Sequence, residues 1–497
     1  MIYLCLGIRW GTCGGAFMKR GGSDQLVLGP SSIPADIPII GFTGSLGSGC
    51  TFLAEGVRDT HRDCCHYYRL SDFLRDIAKQ RGVRVPNTSQ LQDLGNDLRR
   101  QEGNAALVKR CLQKIEDDNQ SNHFVQGDDT IILVDGIRND GEVRTLRQFP
   151  NFCLISVHAE AETRERRLVG PEQDKRFKNS KSFREADGRD QREDVAYGQQ
   201  VKQCNYMADV IINNDKDIAE TETRERNEYF NWIFNDYIHP VRALRQGKQV
   251  HDRPPSPSET LMTMAYCVSK RSRCLKRKVG AVIAYVRPAQ RTSAQTLGAE
   301  QPVEFQVVSS GYNDVPLGTK ACVFEFEKCY RDYLQAELAK KFHHCPNCGK
   351  RIPIKLKCPH CGTKNATIQS QCVKCEEELL PRFTCEECAC MIFSEYLPGG
   401  RDTPGKLLDV CRALHAEENA IIRLAGIGKA SNGELVLYTT TFPCNLCANK
   451  IVAAGIRRVV YAEPYPSEES KKVLDAGGVP VQKFEGVKST AYFRLYA

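Results

Sequence analysis

Two short motifs constrain this chain more than any other feature: His415-Ala-Glu417 and, further along, Pro443-Cys444-Asn-Leu-Cys447. One imidazole and two thiolates are the three protein ligands that a catalytic zinc takes, the fourth position being left to water. For the three to meet, the fold has to bring a helix start at His415 against a second helix start at Cys444. Pro443 suits the entry to that second helix, where side chains three apart point the same way. Helix N-terminal amides also favour bound thiolates. Glu417 can then reach a metal-bound water without ligating the metal, and the metal lowers that water's pKa toward neutrality. A core histidine and a buried cysteine pair are each common alone. Both together, in this order and between a matching strand and helix, favour the metal.

The cysteines are distributed unevenly. Of 24, fourteen run from Cys322 to Cys447, and ten of those form five Cys-x-x-Cys pairs. In a reducing compartment such pairs indicate metal thiolates, because disulfides would not persist. At 497 residues the chain calls for two or three domains, and 41% apolar with 26% charged residues is ordinary for a soluble protein. No apolar run approaches the ~20 residues that span a bilayer. Residues 1–35 are apolar at the start, lack a basic leader and a clean cleavage site, and read as a tail, so a cytoplasmic location is expected. The excess of eight positive charges suits anionic substrates such as nucleotides without requiring a nucleic-acid partner.

Residues 36–240 alternate between strands and helices. Ile37–Thr43, Ile131–Val134, Cys153–Val157 and Asp209–Ile212 read as buried strands, with helices around 52–58, 70–80, 89–115 and 142–147, giving an α/β unit with a parallel sheet. His251-Asp-Arg-Pro-Pro-Ser-Pro-Ser258 cannot continue a helix and marks 241–258 as a linker. Residues 259–497 form a second α/β unit, interrupted by a cysteine-rich block at 343–390. Its helices are expected at 259–273, 412–425 and 445–454, and its strands at Val279–Tyr285, Phe305–Gly311, Leu435–Tyr438 and Val459–Tyr461.

The H-x-E…P-C-x-x-C pattern is the signature of zinc base deaminases. Met264–Ile283 resembles the first helix and strand of deoxycytidylate deaminases, as do Ser310-Gly-Tyr-Asn313, Thr439-Thr-Thr-Phe-Pro443 and Val459-Val-Tyr-Ala-Glu-Pro-Tyr465. The resemblance implies a cytidine-deaminase-like α/β/α fold and attack of hydroxide on C4 of a cytosine ring. Glu417 would move the protons. Asn313 would contact sugar or base, Tyr465 would line the pocket, and Arg277, Lys276 or Ser272 would reach the phosphates. Asp314 stands where the family usually has glycine.

Within the insert, Cys345-x-x-Cys348 with Cys358-x-x-Cys361 recurs as Cys372-x-x-Cys375 with Cys385-x-x-Cys388, every cysteine moving by 27 positions. This is an internal repeat, and each copy has the four-cysteine spacing of a zinc ribbon, implying two structural zinc ions in addition to the catalytic one. The block has little apolar content and needs metal to fold. Whether ligands interleave between copies, and whether the block is a lid or a surface for nucleic acid or protein, stays open from spacing.

In the first unit, Gly44-Ser-Leu-Gly47-Ser48-Gly49-Cys50-Thr51 follows a strand and precedes a helix, the context of a Walker A loop. Cys50 stands where lysine should contact phosphates. The glycine amides and Thr51 can still cradle a nucleotide with Mg²⁺, and Asp135, ending an apolar strand, resembles a Walker B acid. Arg164, Arg166 and Arg167 resemble a lid cluster. A kinase-like P-loop fold is expected, with phosphoryl transfer impaired and nucleotide sensing favoured over scaffolding.

A lysine-less P-loop unit fused to a deoxycytidylate-deaminase-like unit resembles the bacterial anti-phage dCTP/dCMP deaminases. That resemblance implies depletion of deoxycytidine nucleotides, a homo-oligomer, and an RNA or protein regulator that holds the enzyme in check. Two other readings stay open. One is a polynucleotide cytidine deaminase, against which the chain lacks the dense basic and aromatic surface that strand binding favours. The other is a non-catalytic nucleotide sensor, disfavoured by the intact His415, Glu417, Cys444 and Cys447 set.

Overall fold

The computed structural model describes residues 33–34, 37–83, 86–121, 130–170, 176–191, 193, 195–216, 218–245, 254–288, 303–334, 411–426, 433–464 and 468–496. It also describes short pieces between 355 and 393. Among these residues no helix is long and apolar enough to cross a membrane.

Four apolar runs become the middle of a parallel sheet: β1 (Ile39–Thr43), β3 (Ile131–Asp135), β4 (Phe152–His158) and β5 (Val210–Asn213), with β2 (Cys65–Arg69) at one edge. The order is β5-β4-β1-β3-β2, each neighbour parallel. Helices cover both faces, so these strands are apolar over most of their length, with polar residues mainly at their C-terminal ends. Gly41 is required in β1, since a Cβ there would lie 2.6 Å from Ile137 Cδ1. β2, Cys-His-Tyr-Tyr-Arg, escapes the sequence reading because it is a half-buried edge strand with no apolar run. The helical pattern over 89–115 resolves into two helices, Thr88–Glu102 and Ala106–Gln120, broken at Gly103 with φ +92°.

The second sheet contains β6 (Gly280–Pro288), β7 (Val303–Tyr312), β12 (Glu434–Thr441), β13 (Arg458–Glu463) and β14 (Val481–Lys483), in the order β14-β13-β12-β6-β7. β6 pairs antiparallel with β7 and β12, while β12, β13 and β14 run parallel. The helix Pro257–Ser269 covers one face through Leu261, Met262 and Ala265. The helices Ala416–Ala425 and Asn445–Ala453 cover the other through Ala416, Ala420, Ala448 and Ile451. Pro257 is the first helical residue and Ser256 its N-cap, so the helix starts two residues earlier than the sequence indicates. Close approach on both faces depends on glycine: a Cβ on Gly280 would lie 1.9 Å from the Ala265 carbonyl, and one on Gly311 2.2 Å from that of Ala416.

In the insert, four short strands form two hairpins: β8 (Lys355–Lys357) with β9 (Lys364–Ala366), and β10 (Arg382–Thr384) with β11 (Met391–Phe393). Each strand of the second hairpin lies 27 positions after its counterpart, so the backbone repeats with the cysteines. Of the eight repeat cysteines, Cys361 and Cys375 are described. Cys345, Cys348, Cys358, Cys372, Cys385 and Cys388 lie outside the described residues.

The end of the chain returns to the first sheet. β15 (Gly486–Val487) pairs antiparallel with β5, and Val487, Ala491 and Leu495 join the core of the first unit. Glu259 holds both ends of this crossing. It completes the capping box with Ser256 and accepts the Val487 amide at 2.9 Å. Gly486, at φ +124°, passes so close to Glu259 that a Cβ there would lie 2.7 Å from Glu259 Cγ, and no side chain fits. Beside it, fully buried Lys488 donates to Glu463 Oε1 (2.8 Å) on β13 and to the Tyr206 carbonyl (2.9 Å) in the first unit. Tyr266 donates to the same carboxylate oxygen at 2.9 Å.

Burial opposes the charge on Glu463, but Lys488 and Lys483 outweigh it and hold the carboxyl below its usual range. Lys488→Met leaves that carboxylate buried without its cation and should destabilise the fold by about 3 kcal/mol, read as a lower urea midpoint at pH 7. Because the folded pKa is depressed, the contribution is complete above the unfolded carboxylate value of about 4.3 and disappears as pH falls through the folded value. The difference between the two proteins should therefore shrink in acid.

Candidate active site

His415 and Cys444 are both N-cap residues, with extended backbone (φ −75°, ψ 159° and φ −77°, ψ 169°) immediately before the helices Ala416–Ala425 and Asn445–Ala453. The two helices lie side by side on one face of the second sheet, so their N-termini open on the same spot. His415 Nδ1 lies 3.2 Å from Cys444 Sγ and 3.3 Å from Cys447 Sγ. One donor atom from each residue falls within 4.8 Å of the others. Tetrahedral zinc, with bonds of about 2.3 Å to sulfur and about 2.0 Å to nitrogen, puts such atoms roughly 3.5 Å apart. The spacing fits to within a few tenths of an ångström.

The electrostatics of the donor set point the same way. Hydrogen bonding from Cys447, opposed by burial and helped by His415, holds the Cys444 thiol down at about 4. A second thiolate beside it is unfavourable, so Cys444 and burial push Cys447 up. A cation reverses that penalty, because both sulfurs can then be charged. Hydrogen bonding to Cys444 raises His415 against the effect of burial. Glu418 accepts the His415 amide at 3.3 Å and is itself paired with Lys450 at 2.6 Å, which fixes the cap.

Glu417 is buried beside these atoms, its Oε2 3.6 Å from Cys447 Sγ and its Oε1 accepting from Thr439 Oγ1 at 3.3 Å. Burial raises its pKa above the usual carboxylate range. Thr439 has no assigned role in the sequence reading. One buried hydroxyl within Thr439-Thr-Thr441 carries no signature, and only the register of β12 shows which threonine faces Glu417.

The other expected site residues fall into place unevenly. Asn313 accepts the Val279 amide at 2.7 Å and donates to the Arg277 carbonyl at 2.8 Å, so its side chain clasps the loop that presents Arg277. Asp314, the departure from the family glycine, pairs with Arg273 at 2.9 Å and bridges by its backbone to Leu414, next to His415. Ser272 is buried and donates to the Asn313 carbonyl, and Lys276 pairs with Asp332. Tyr465 lies outside the described residues.

In the first unit, Gly44–Gly49 joins β1 to the helix Cys50–Thr60, with Gly47 and Gly49 at φ +81° and +89°. Asp135, at the end of β3, accepts from Thr51 Oγ1 (2.7 Å), Tyr67 OH (3.0 Å) and Cys50 Sγ (3.2 Å). Burial and then Asp135 keep the Cys50 thiol protonated. Asn214 donates to the Ser48 carbonyl at 2.8 Å, and Ser48 itself is buried. Arg164 is buried against the Leu46 carbonyl and Asp187, while Arg167 reaches the Gly47 carbonyl at 3.4 Å. These two arginines therefore brace the loop.

Residues 255–463 match a family model described as the cytidine and deoxycytidylate deaminase zinc-binding region. The deoxycytidylate deaminase of Schizosaccharomyces pombe is 26% identical over 281 residues, 56% of this chain and 54% of that protein. That of Saccharomyces cerevisiae is 27% identical over 231 residues, 46% of this chain and 45% of that protein. The chain thus spans about half the length of these two curated relatives. A UPF0200 protein of Methanoregula boonei is 28% identical over 156 residues, 31% of this chain and 77% of that protein. The crystal structure of a dCMP deaminase from cyanophage S-TIM5 with dCMP and dUMP covers 47% of this chain and all of its own, at 18% identity and a TM-score of 0.23. Residues 255–463 are thus similar to the zinc-binding region of cytidine and deoxycytidylate deaminases, a likeness that the two fungal deoxycytidylate deaminases share.

Proposed function

We propose that the chain is a zinc-dependent hydrolytic deaminase of free deoxycytidine nucleotides, dCTP or dCMP, giving dUTP or dUMP and ammonia. The observation that carries this is the convergence of His415, Cys444 and Cys447 with Glu417 alongside, in a segment matching the deaminase family. When bound to those three ligands, zinc supplies Lewis acidity that lets water ionise near neutral pH. Glu417 is the proton carrier: it takes a proton from water as the C4–O bond forms and delivers it to ring N3, then takes the second proton from the new C4 hydroxyl and passes it to the amino group as the C4–N bond breaks and ammonia leaves. Burial suits it to that task, since a carboxyl pKa raised above the usual range makes the carboxylate a better base for taking the water proton. Thr439 orients it. Arg277, on the loop held by Asn313, is the proposed phosphate contact, and Tyr465 the proposed pocket wall.

The remaining assignments extend the same reading. The two cysteine repeats hold structural zinc through Cys345, Cys348, Cys358 and Cys361 and their counterparts Cys372, Cys375, Cys385 and Cys388. Gly44, Gly47, Ser48, Gly49, Cys50, Thr51 and Asp135 cradle a nucleotide with Mg²⁺ as a sensor, and the chain acts in the cytoplasm as a homo-oligomer under an RNA or protein regulator. Depletion of the deoxycytidine nucleotide pool, as in anti-phage defence, is the biological role this implies.

Incubation of the zinc-loaded chain with dCTP, dCMP, CTP and a cytosine-containing oligonucleotide, followed by chromatography, should give deaminated product from the free deoxynucleotides. Product from the oligonucleotide alone would overturn the proposal. A second expectation concerns the loop: Cys50→Lys should tighten nucleotide binding by at least about tenfold in a fluorescence titration, whereas unchanged affinity would make the loop a scaffold.

A further inference from the structure

A second group of ligand-type side chains lies away from the deaminase site. His158 ends β4, Glu160 is the N-cap of the helix Ala161–Leu168, and Asp215 follows β5. One donor atom from each lies within 4.8 Å of the other two. The backbone sets this arrangement before any side chain does. His158 stands opposite Asn213 in the β4–β5 register, and its carbonyl accepts the Asn214 amide at 2.7 Å. The Glu160 amide donates to Asp215 Oδ1 at 2.7 Å, which leaves the second carboxylate oxygen free to turn toward the other two groups.

The imidazole is poorly satisfied by protein alone. With its side chain only 20% exposed, His158 has Glu160 Oε1 as its polar partner among the described residues, 3.5 Å from Nε2. That separation is at the outer limit for a hydrogen bond.

We propose that His158, Glu160 and Asp215 form a binding site for a first-row divalent cation, distinct from the zinc ligands and from the glycine loop. One imidazole and two carboxylates suit ions such as Mn²⁺, Fe²⁺ and Zn²⁺ and leave positions for water. An outer contact orients the set, as outer contacts at metal sites do. Tyr461 OH, on β13 of the second sheet, donates to Glu160 Oε1 at 3.3 Å. The Tyr461 ring meets Phe442 edge-on with centroids 5.0 Å apart, and Phe442 directly precedes Pro443 and Cys444. A cation here would therefore tie the ends of β4 and β5 to β13 and, through the Tyr461–Phe442 contact, to the segment that leads into the candidate active site. Lys471 and Lys483 lie near enough to weaken cation binding. Lys483, however, is turned toward the Tyr461 ring and the Ala462 carbonyl, and burial pulls its pKa to about 8. The proposal does not rest on deamination.

Mn²⁺ separates this site from the thiolate sites, which bind it poorly. The full chain, with its thiolate sites filled with zinc, is titrated with Mn²⁺ while free Mn²⁺ is followed by electron paramagnetic resonance, without nucleotide. One equivalent should bind per chain and be displaced by added Zn²⁺. Affinity should fall at least about tenfold in His158→Gln and in Asp215→Asn. Circular dichroism of each variant checks its fold, and either variant alone decides the question if the other fails to fold. Absence of saturable binding would overturn the proposal. So would binding that survives both substitutions but is lost in Asp135→Asn, which would put the ion at the glycine loop.

Discussion

The candidate chemistry depends on two helix N-termini opening onto one point. Each contributes an N-cap residue with extended backbone, His415 and Cys444, and the first turn of the second helix adds Cys447. An N-terminus is a place of unsatisfied amides and partial positive charge, so it tolerates thiolates that a buried site would otherwise keep protonated. An anionic Cys444 makes a second thiolate at Cys447 unfavourable, so two charged sulfurs at this point require a positive ion between them. Glycine positions the first of these helix starts. At Gly311 the helix bearing His415 and Glu417 lies so close to β7 that a methyl group would collide with the Ala416 carbonyl.

The same sheet is bound to the rest of the chain by charge buried at the junction. Glu463, at the end of β13, receives Lys488 and Tyr266, and Lys488 also caps carbonyls of the first unit. A buried ion pair of this kind gives little net stability compared with apolar packing, but removing one partner is costly. Its effect is to fix geometry. With β15 added to the edge of the first sheet, the chain's end crosses back and fastens both units, and Glu160–Tyr461 forms a further contact between them.

Legibility in the sequence follows from how each feature is encoded. β1, β3, β4 and β5 are readable because burial on both faces makes their residues predominantly apolar. β2 is not, since an edge strand of Cys-His-Tyr-Tyr-Arg has neither a run nor an alternation. The candidate metal ligands His415, Cys444 and Cys447 are readable because metal geometry restricts both residue type and spacing. Thr439 and Asp314 are not, because their roles arise from strand register and from a backbone bridge between Asp314 and the distant Leu414. The return of Gly486–Val487 to the first sheet is invisible for a similar reason: two residues carry no periodicity, and the partner, Ile211 with Val210, is remote in sequence. Asn313 shows the opposite case, a recognisable residue whose described contacts hold a loop.

The most direct test measures metal and turnover together in Glu417→Ala. If His415, Cys444 and Cys447 hold zinc and Glu417 carries only protons, the variant keeps the zinc content of the unaltered chain while ammonia release from deoxycytidine nucleotide falls by a factor on the order of 10² to 10⁴. Loss of one equivalent of zinc in that variant, or turnover that persists at the original rate, would contradict the account.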